Sequence, residues 1–329
     1  MRTLLWLAVG SVISTPGCGT LGFYRQAVAG HVEVMAKRKP AAKVMEKTDD
    51  PFLRERLALT QRLLDFARDE LHMPTTGNYE SYADLGRNHL VWVVYAAPEL
   101  SMQPHSWWYP VVGRQDYRGY FREDLARTEA ARLEAQGYET WIGPSDAYST
   151  LGWFRDPVLN TFVRRNEADY ADLIFHELAH VKTFSRGNTA WNEGLAETVA
   201  REGVRRWFLH TGRPHEVRTY EARLRKRAEA KSAISGAAVA LRDLYAQPIP
   251  DAAKRVEKTR ILSRLNHQLR ELRWQWGGGL QSWIDGPVNN ARLVSFTTYE
   301  DEVPRFERLL TDCGGDFQEF WRHVPEIEP

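Results

Sequence analysis

The chain has 329 residues, 43% hydrophobic and 26% charged, which is enough apolar material for one large domain or two small ones. Lys plus Arg number 44 against 43 Asp plus Glu, so no global field favours nucleic acid or an acidic membrane surface. Two cysteines rule out a cysteine-rich structural zinc module.

Arg2 precedes a mostly apolar run from Leu4 to Ile13. The run is too short to cross a bilayer as a stable helix and has the length of a signal-peptide core. Ser14-Thr15-Pro16-Gly17-Cys18 follows, a small residue before a cysteine that resembles a bacterial lipobox, with Thr15 where Leu is usual. Residues 1–17 are therefore expected to be a lipoprotein signal peptide, with Cys18 as the lipidated N-terminus. Two or more acyl chains make a firm anchor. The implied location is the bacterial cell envelope, at the periplasmic face of the outer membrane. A plain secreted chain or an uncleaved anchor is the alternative. Lipidation of Cys18 leaves Cys313 without a partner, so the core holds the fold without a disulfide framework.

Residues 18–50 read as a tether and a first helix, periodic from Leu21 to Met35, with a basic stretch from Lys37 to Lys47 that could lie near the membrane but reads first as solvated. Residues 51–329 read as one domain, mixed α/β over 51–165 and mainly helical over 166–329. Residues 51–72 predict an amphipathic helix with Leu53, Leu57, Leu63, Leu64 and Phe66 near one face. Val91–Tyr95 and Trp107–Val112 are β-branched and aromatic, as strands are. Arg118–Phe121 leads into a helix over Glu123–Gln136 that ends at Gly137, and Glu139–Ile142 suggests a further strand. Helices follow over Glu167–Phe184, Trp191–Gly203, Glu216–Tyr245 and Ala252–Trp274. Gly277-Gly278-Gly279 stops the pattern, and a last long helix is expected over Tyr299–Leu310. The chain thus reads as α+β and predominantly helical. Of 12 tryptophans, Trp107, Trp108, Trp274, Trp276 and Trp283 read as packing residues before they read as a cleft wall.

The chemistry concentrates in His176-Glu177-Leu178-Ala179-His180, inside an apolar helix pattern. Residues four apart share a helix face, so two imidazoles can hold one metal ion. Glu177 then points toward the open metal position and can take a proton from water there. Asn192-Glu193-Gly194-Leu195-Ala196-Glu197 follows after a turn at Gly187 and Asn188. Two helices joined by a short loop are neighbours, so Glu193 can supply a third ligand. Two neutral histidines and one carboxylate leave a position for water, the open form of a catalytic zinc site. Glu197, one turn on, suits orientation of a liganding histidine through its far nitrogen. Spacing alone leaves room for Glu197 as the ligand instead.

HELAH followed by NEGLAE resembles the gluzincin arrangement of thermolysin-like and aminopeptidase-type metallopeptidases. The 12 residues between His180 and Glu193 are fewer than in those families. The chain is also similar to a bacterial family of predicted zinc aminopeptidases, often lipoproteins. The similarity runs through Gly17-Cys18, Leu21-Gly22 and Tyr24, Trp107–Gly113, Arg118–Phe121, Ala147–Pro157, the HELAH and NEG motifs, and Asn289–Leu293 with Tyr299. It covers nearly all of the mature chain in order. The family often has Gln after HELAH, where Val181 stands here.

The resemblance implies a zincin-like fold with a small β-sheet packed against the HExxH helix. It implies one Zn2+ held by His176, His180 and Glu193, a histidine oriented by Glu197, and peptide-bond hydrolysis, as an aminopeptidase, with Glu177 as general base. Related gluzincins stabilise the oxyanion with a Tyr or His, and Tyr299 and then Tyr148 are the candidates for that catalytic role. Arg292 could bind a peptide carboxylate or, just as well, tie the C-terminal helix to the core. Two other readings stay open: an envelope-anchored zinc-binding scaffold, and hydrolysis of a non-peptide amide such as a cell-wall fragment.

Overall fold

A computed structural model describes residues 18–75, 77–109, 113–147, 155–185, 187–297 and 302–327. Helix α1 (Cys18–Ala36) leads through β1 (Lys39–Pro40) and α2 (Ala41–Lys47) to α3 (Pro51–Asp69). α3 starts firmly because the Asp50 carboxylate accepts from the Phe52 and Leu53 N–H groups, with Pro51 in the first turn. Its Leu57, Leu63, Leu64 and Phe66 are buried, the face that their spacing predicts.

Five short strands and a helix come next: β2 (Ser81–Ala83), β3 (Val91–Pro98), β4 (Trp107–Tyr109), β5 (Gly113–Gln115), β6 (Arg118–Tyr120) and α4 (Glu123–Glu134). β7 (Tyr138–Ser145) and β8 (Val158–Leu159) complete the strands. β3 is the middle of the antiparallel sheet β6-β3-β7, with Trp92 opposite Tyr120 and Tyr95 opposite Trp141. Val94 and Ala96 of β3 join Ala126, Ala130 and Leu133 of α4 in a small core. β2 pairs antiparallel with β1 and parallel with β8. The segment expected only to lead into a helix, Arg118–Phe121, holds a strand of its own. Alternation over three residues is too short a signal to read.

α5 (Glu167–Lys182) and α6 (Thr189–His210) pack closely in the main core, with α3 against both. Gly203 permits the approach, since a Cβ there would lie 2.7 Å from the Phe175 ring. α6 runs well past the expected end at Gly203 for the same reason: that glycine is packed against another helix and does not stop its own. Helices thus form the chief surroundings of α5, where one sheet was expected.

α7 (Pro214–Ala246) and α8 (Asp251–Trp276) enclose a second core with α9 (Gln281–Asp285) and α10 (Asn290–Thr297). α8 stops at Gly277, whose φ of +71° is the left-handed cap. α11 (Val303–Asp312) and α12 (Phe317–His323) return to the main core, where Phe306, Phe317 and Phe320 are buried. The last long helix therefore begins four residues later than expected. Trp107 is buried, whereas Trp108 and Trp274 are exposed and do not pack as the sequence suggested. Among the described residues no helix is long and apolar enough to cross a membrane.

Candidate metal centre

α5 presents His176 and His180 on one face at a four-residue step. Their Nε2 atoms are 3.1 Å apart, and the rings stand nearly perpendicular, at 86°. Glu193, on the second turn of α6, closes the group. Its Oε2 is 3.3 Å from His176 Nε2, and its Oε1 is 3.6 Å from His180 Nε2. Three donors about 2.0–2.1 Å from one centre at tetrahedral angles would lie about 3.3–3.4 Å apart. The separations lie around that value, with each histidine met by a different Glu193 oxygen, so the three residues could hold a zinc-sized ion. It is the group among the described residues whose ligand atoms could hold a metal.

The NEG tripeptide explains how Glu193 comes to stand there. Asn192 is buried, and its Nδ2 donates to the carbonyls of Ser185 and Asn188 at 2.7 and 2.8 Å. Its Oδ1 accepts from the Ser185 N–H at 2.8 Å. Asn188 caps α6 by accepting from the Trp191 N–H. Gly194 lies under the start of α11, where a Cβ would come within 2.6 Å of Glu302 Cβ and 3.0 Å of its carbonyl carbon. Asparagine fixes the turn, glutamate points at the histidines, and glycine admits α11.

The group is electrostatically matched. Burial alone would push His176 down, but the hydrogen bond to Glu193 and the charges of Glu177, Glu193 and Glu197 lift it to about 9. Burial and the adjacent His176 charge push His180 down to about 4. Burial works to raise the Glu193 pKa, but the contacts with both histidines outweigh it and lower it. Without metal, one proton shared on His176 neutralises Glu193. Glu177 sits beside the group with its Oε2 buried. Its charge reaches both His176 and the Tyr79 hydroxyl.

Glu197 Oε1 accepts from Arg201 at 2.8 Å, and Arg201 also lies 3.6 Å from Glu307 on α11. Its charge reaches His176 as well as Asp172. Asp172 was not anticipated. It lies one turn before His176 on α5, and the Tyr220 hydroxyl donates to its Oδ1 at 2.5 Å. Burial and the Glu197 charge raise its pKa. The four-residue step Asp172, His176, His180 was the available signal.

Tyr117 is the second residue that sequence reasoning missed. Burial raises its hydroxyl, and the Glu193 charge adds to that. Its ring packs 5.9 Å from Tyr95, which lies 5.8 Å from Trp141. No motif flagged it, because it sits between two three-residue strands. Tyr148 and Tyr299, the oxyanion candidates, lie outside the described residues, as does the expected signal peptide over 1–17. Cys18 opens α1. Arg292 ties α10 to the segment around α9 and not, as expected, the C-terminal helix to the core. It donates to the carbonyls of Pro287 and Ser282, and its guanidinium lies 4.2 Å from the Trp283 ring centroid. The neighbouring Asn290 side chain donates to the carbonyls of Pro98, Glu99 and Ser101. The Asn289–Leu293 motif is therefore a staple between α10 and β3.

A protein-family model described as "Putative aminopeptidase" matches residues 22–329. No curated protein matches the chain. No solved structure matches it either.

Proposed function

The chain belongs to the putative aminopeptidase family, and we propose that it is a zinc-dependent peptidase, acting as an aminopeptidase, with a zincin-type arrangement around α5. The observation that carries this reading is the convergence of His176, His180 and Glu193 at tetrahedral-edge separations beside Glu177. When bound, zinc would supply Lewis acidity for the scissile carbonyl and a lowered pKa for water.

The protein's own groups do the rest. His176, His180 and Glu193 hold the ion and leave one side open. Glu177 takes the proton of the attacking water and delivers it to the leaving amine. Asn192 and Gly194 keep Glu193 in register with α5. Glu197 and Asp172 place negative charge behind His176, which strengthens it as a donor. Tyr117, whose hydroxyl feels the Glu193 charge and whose ring packs on Tyr95, is a described candidate for the oxyanion. The lipobox-like sequence supports attachment of the chain to the cell envelope through lipid on Cys18, facing the periplasm from the outer membrane.

Three variants test the reading. His176→Ala and Glu193→Ala should each abolish the roughly one zinc per chain expected of the wild type in elemental analysis. Glu177→Gln should keep the zinc and lose hydrolysis of aminoacyl substrates. Zinc retained by the wild type with no turnover on any peptide or cell-wall amide would favour the scaffold reading. No zinc uptake at all would sink the metal site.

A further inference from the structure

We infer that the outward face of α1, flanked by the basic stretch after it, lies on an anionic lipid surface and fixes how the site is presented above the bilayer; this rests on the anchoring at Cys18 proposed above. α1 is apolar on both sides. Over Cys18–Ala36 its charged residues are Arg25 and Glu33. A helix that is hydrophobic all round is ordinarily buried all round.

One side of α1 is covered by the protein. Phe23 packs against Tyr109 and Tyr120, and Gln26 exchanges hydrogen bonds with Gly119 and Phe121. Gly30 lies so close to the Phe121 ring that no Cβ fits, and Val34 is buried. The opposite side carries Val28 and Val32 at 62% and 57% exposure, one turn apart, with Ala29 and Ala36 also exposed.

Three features select lipid as the occupant. The proposed lipid site, Cys18, is the first residue of α1, so an anchored chain holds this helix at the membrane. Its far end runs into Lys37, Arg38, Lys39, Lys43 and Lys47, against Glu46 alone over 37–47. Lys39, Lys43 and Lys47 are exposed, as cations that meet anionic headgroups must be. Near the first turns of α1, the β4–β5 hairpin holds Trp108 at 68% exposure, while its neighbour Tyr109 packs on Phe23 and Tyr24. An exposed tryptophan beside an apolar helix suits the headgroup layer.

The test uses the full chain reconstituted in vesicles of phosphatidylethanolamine and phosphatidylglycerol. In a Cys313→Ser background, which serves as the blank, Val28→Cys, Val32→Cys and Trp108→Cys carry a fluorophore, and Val239→Cys and Val256→Cys serve as exposed sites elsewhere. Nitroxide lipid should quench positions 28, 32 and 108 several-fold more than 239 and 256. Equal quenching at all five in a chain that floats with the vesicles overturns the surface and leaves the anchor standing. Shielding of 28 and 32 from aqueous iodide without lipid quenching would show a protein partner or a second copy on this face, and overturns it too. A chain that does not float with vesicles overturns the anchor and the surface together.

Discussion

Ser185 and Asn192 are joined by hydrogen bonds in both directions, the Ser185 N–H to Asn192 Oδ1 at 2.8 Å and Asn192 Nδ2 to the Ser185 carbonyl at 2.7 Å. The pair closes the loop between α5 and α6 and sets the distance from His180 to Glu193. Asn192→Ala should therefore weaken zinc binding by about 10- to 100-fold, as loss of groups that orient ligands does. It should also cost about 2–3 kcal/mol of stability, since buried carbonyls lose their donors. Chelator competition and urea unfolding of the same variant measure both. Full zinc affinity in Asn192→Ala would show that α5 and α6 hold Glu193 without the loop.

Gly194 and Gly236 make a matched pair of helical glycines. A methyl group at Gly194 would meet Glu302 Cβ at 2.6 Å and backbone atoms of α11 at 3.0 and 3.1 Å, whereas at Gly236 it would meet nothing within 4 Å. Gly194→Ala should destabilise by about 1–3 kcal/mol because α11 must shift. Gly236→Ala should stabilise by about 0.5–1 kcal/mol through helix propensity. Thermal unfolding of the two variants should shift in opposite directions. A shift in the same direction would show that α11 yields easily.

The grouping of His176, His180 and Glu193 was legible in the sequence because two of the three lie on one helix, where spacing fixes geometry. Glu193 was legible because a short loop forces its helix alongside. The surrounding groups were harder to read. Asp172 is placed by the same helix period, but an acidic residue on a helix ordinarily reads as surface charge. Tyr117, just before β6, meets Tyr95 of β3 through the long-range pairing of these two strands, which no local pattern encodes. Arg292 had a binding and a structural reading of equal weight, because nothing local reveals the backbone carbonyls of Ser282 and Pro287 as its partners. The long helices α7 and α8 were read nearly to their ends, whereas α2, α9 and α10 are too short to show a period.

Tyr117 offers a way to separate metal binding from turnover. Its hydroxyl feels the Glu193 charge, and its ring is held by Tyr95. Tyr117→Phe keeps the ring and removes the donor. Zinc content should stay unchanged, and kcat on an aminoacyl substrate should fall by about 10²–10³. An unchanged kcat would move the oxyanion donor to Tyr148 or Tyr299.

Glu167 makes stability depend on pH in a defined direction. In the first turn of α5, it accepts from Arg213 at 2.6 and 2.9 Å and from Trp207 Nε1 at 2.8 Å, so it ties α5 to α6 and to the start of α7. Burial works to raise its pKa, but the bonds from Arg213 and Trp207 outweigh this and hold it below the usual carboxylate range. A folded-state pKa below the unfolded value means stabilisation that is complete above about 4.3, the unfolded value. It is lost as pH falls through the lower folded-state value. Glu167→Gln should therefore be less stable than wild type by about 2 kcal/mol at neutral pH. The gap should be full above about pH 4.3, narrow as pH falls below it, and close once pH has passed the lower folded-state value, where wild-type Glu167 is protonated as well. Carboxylates common to both chains cancel in the difference, so urea unfolding across this range isolates the one group. A gap that stays constant down to acid pH would mean that Glu167 acts through packing and not through its charge.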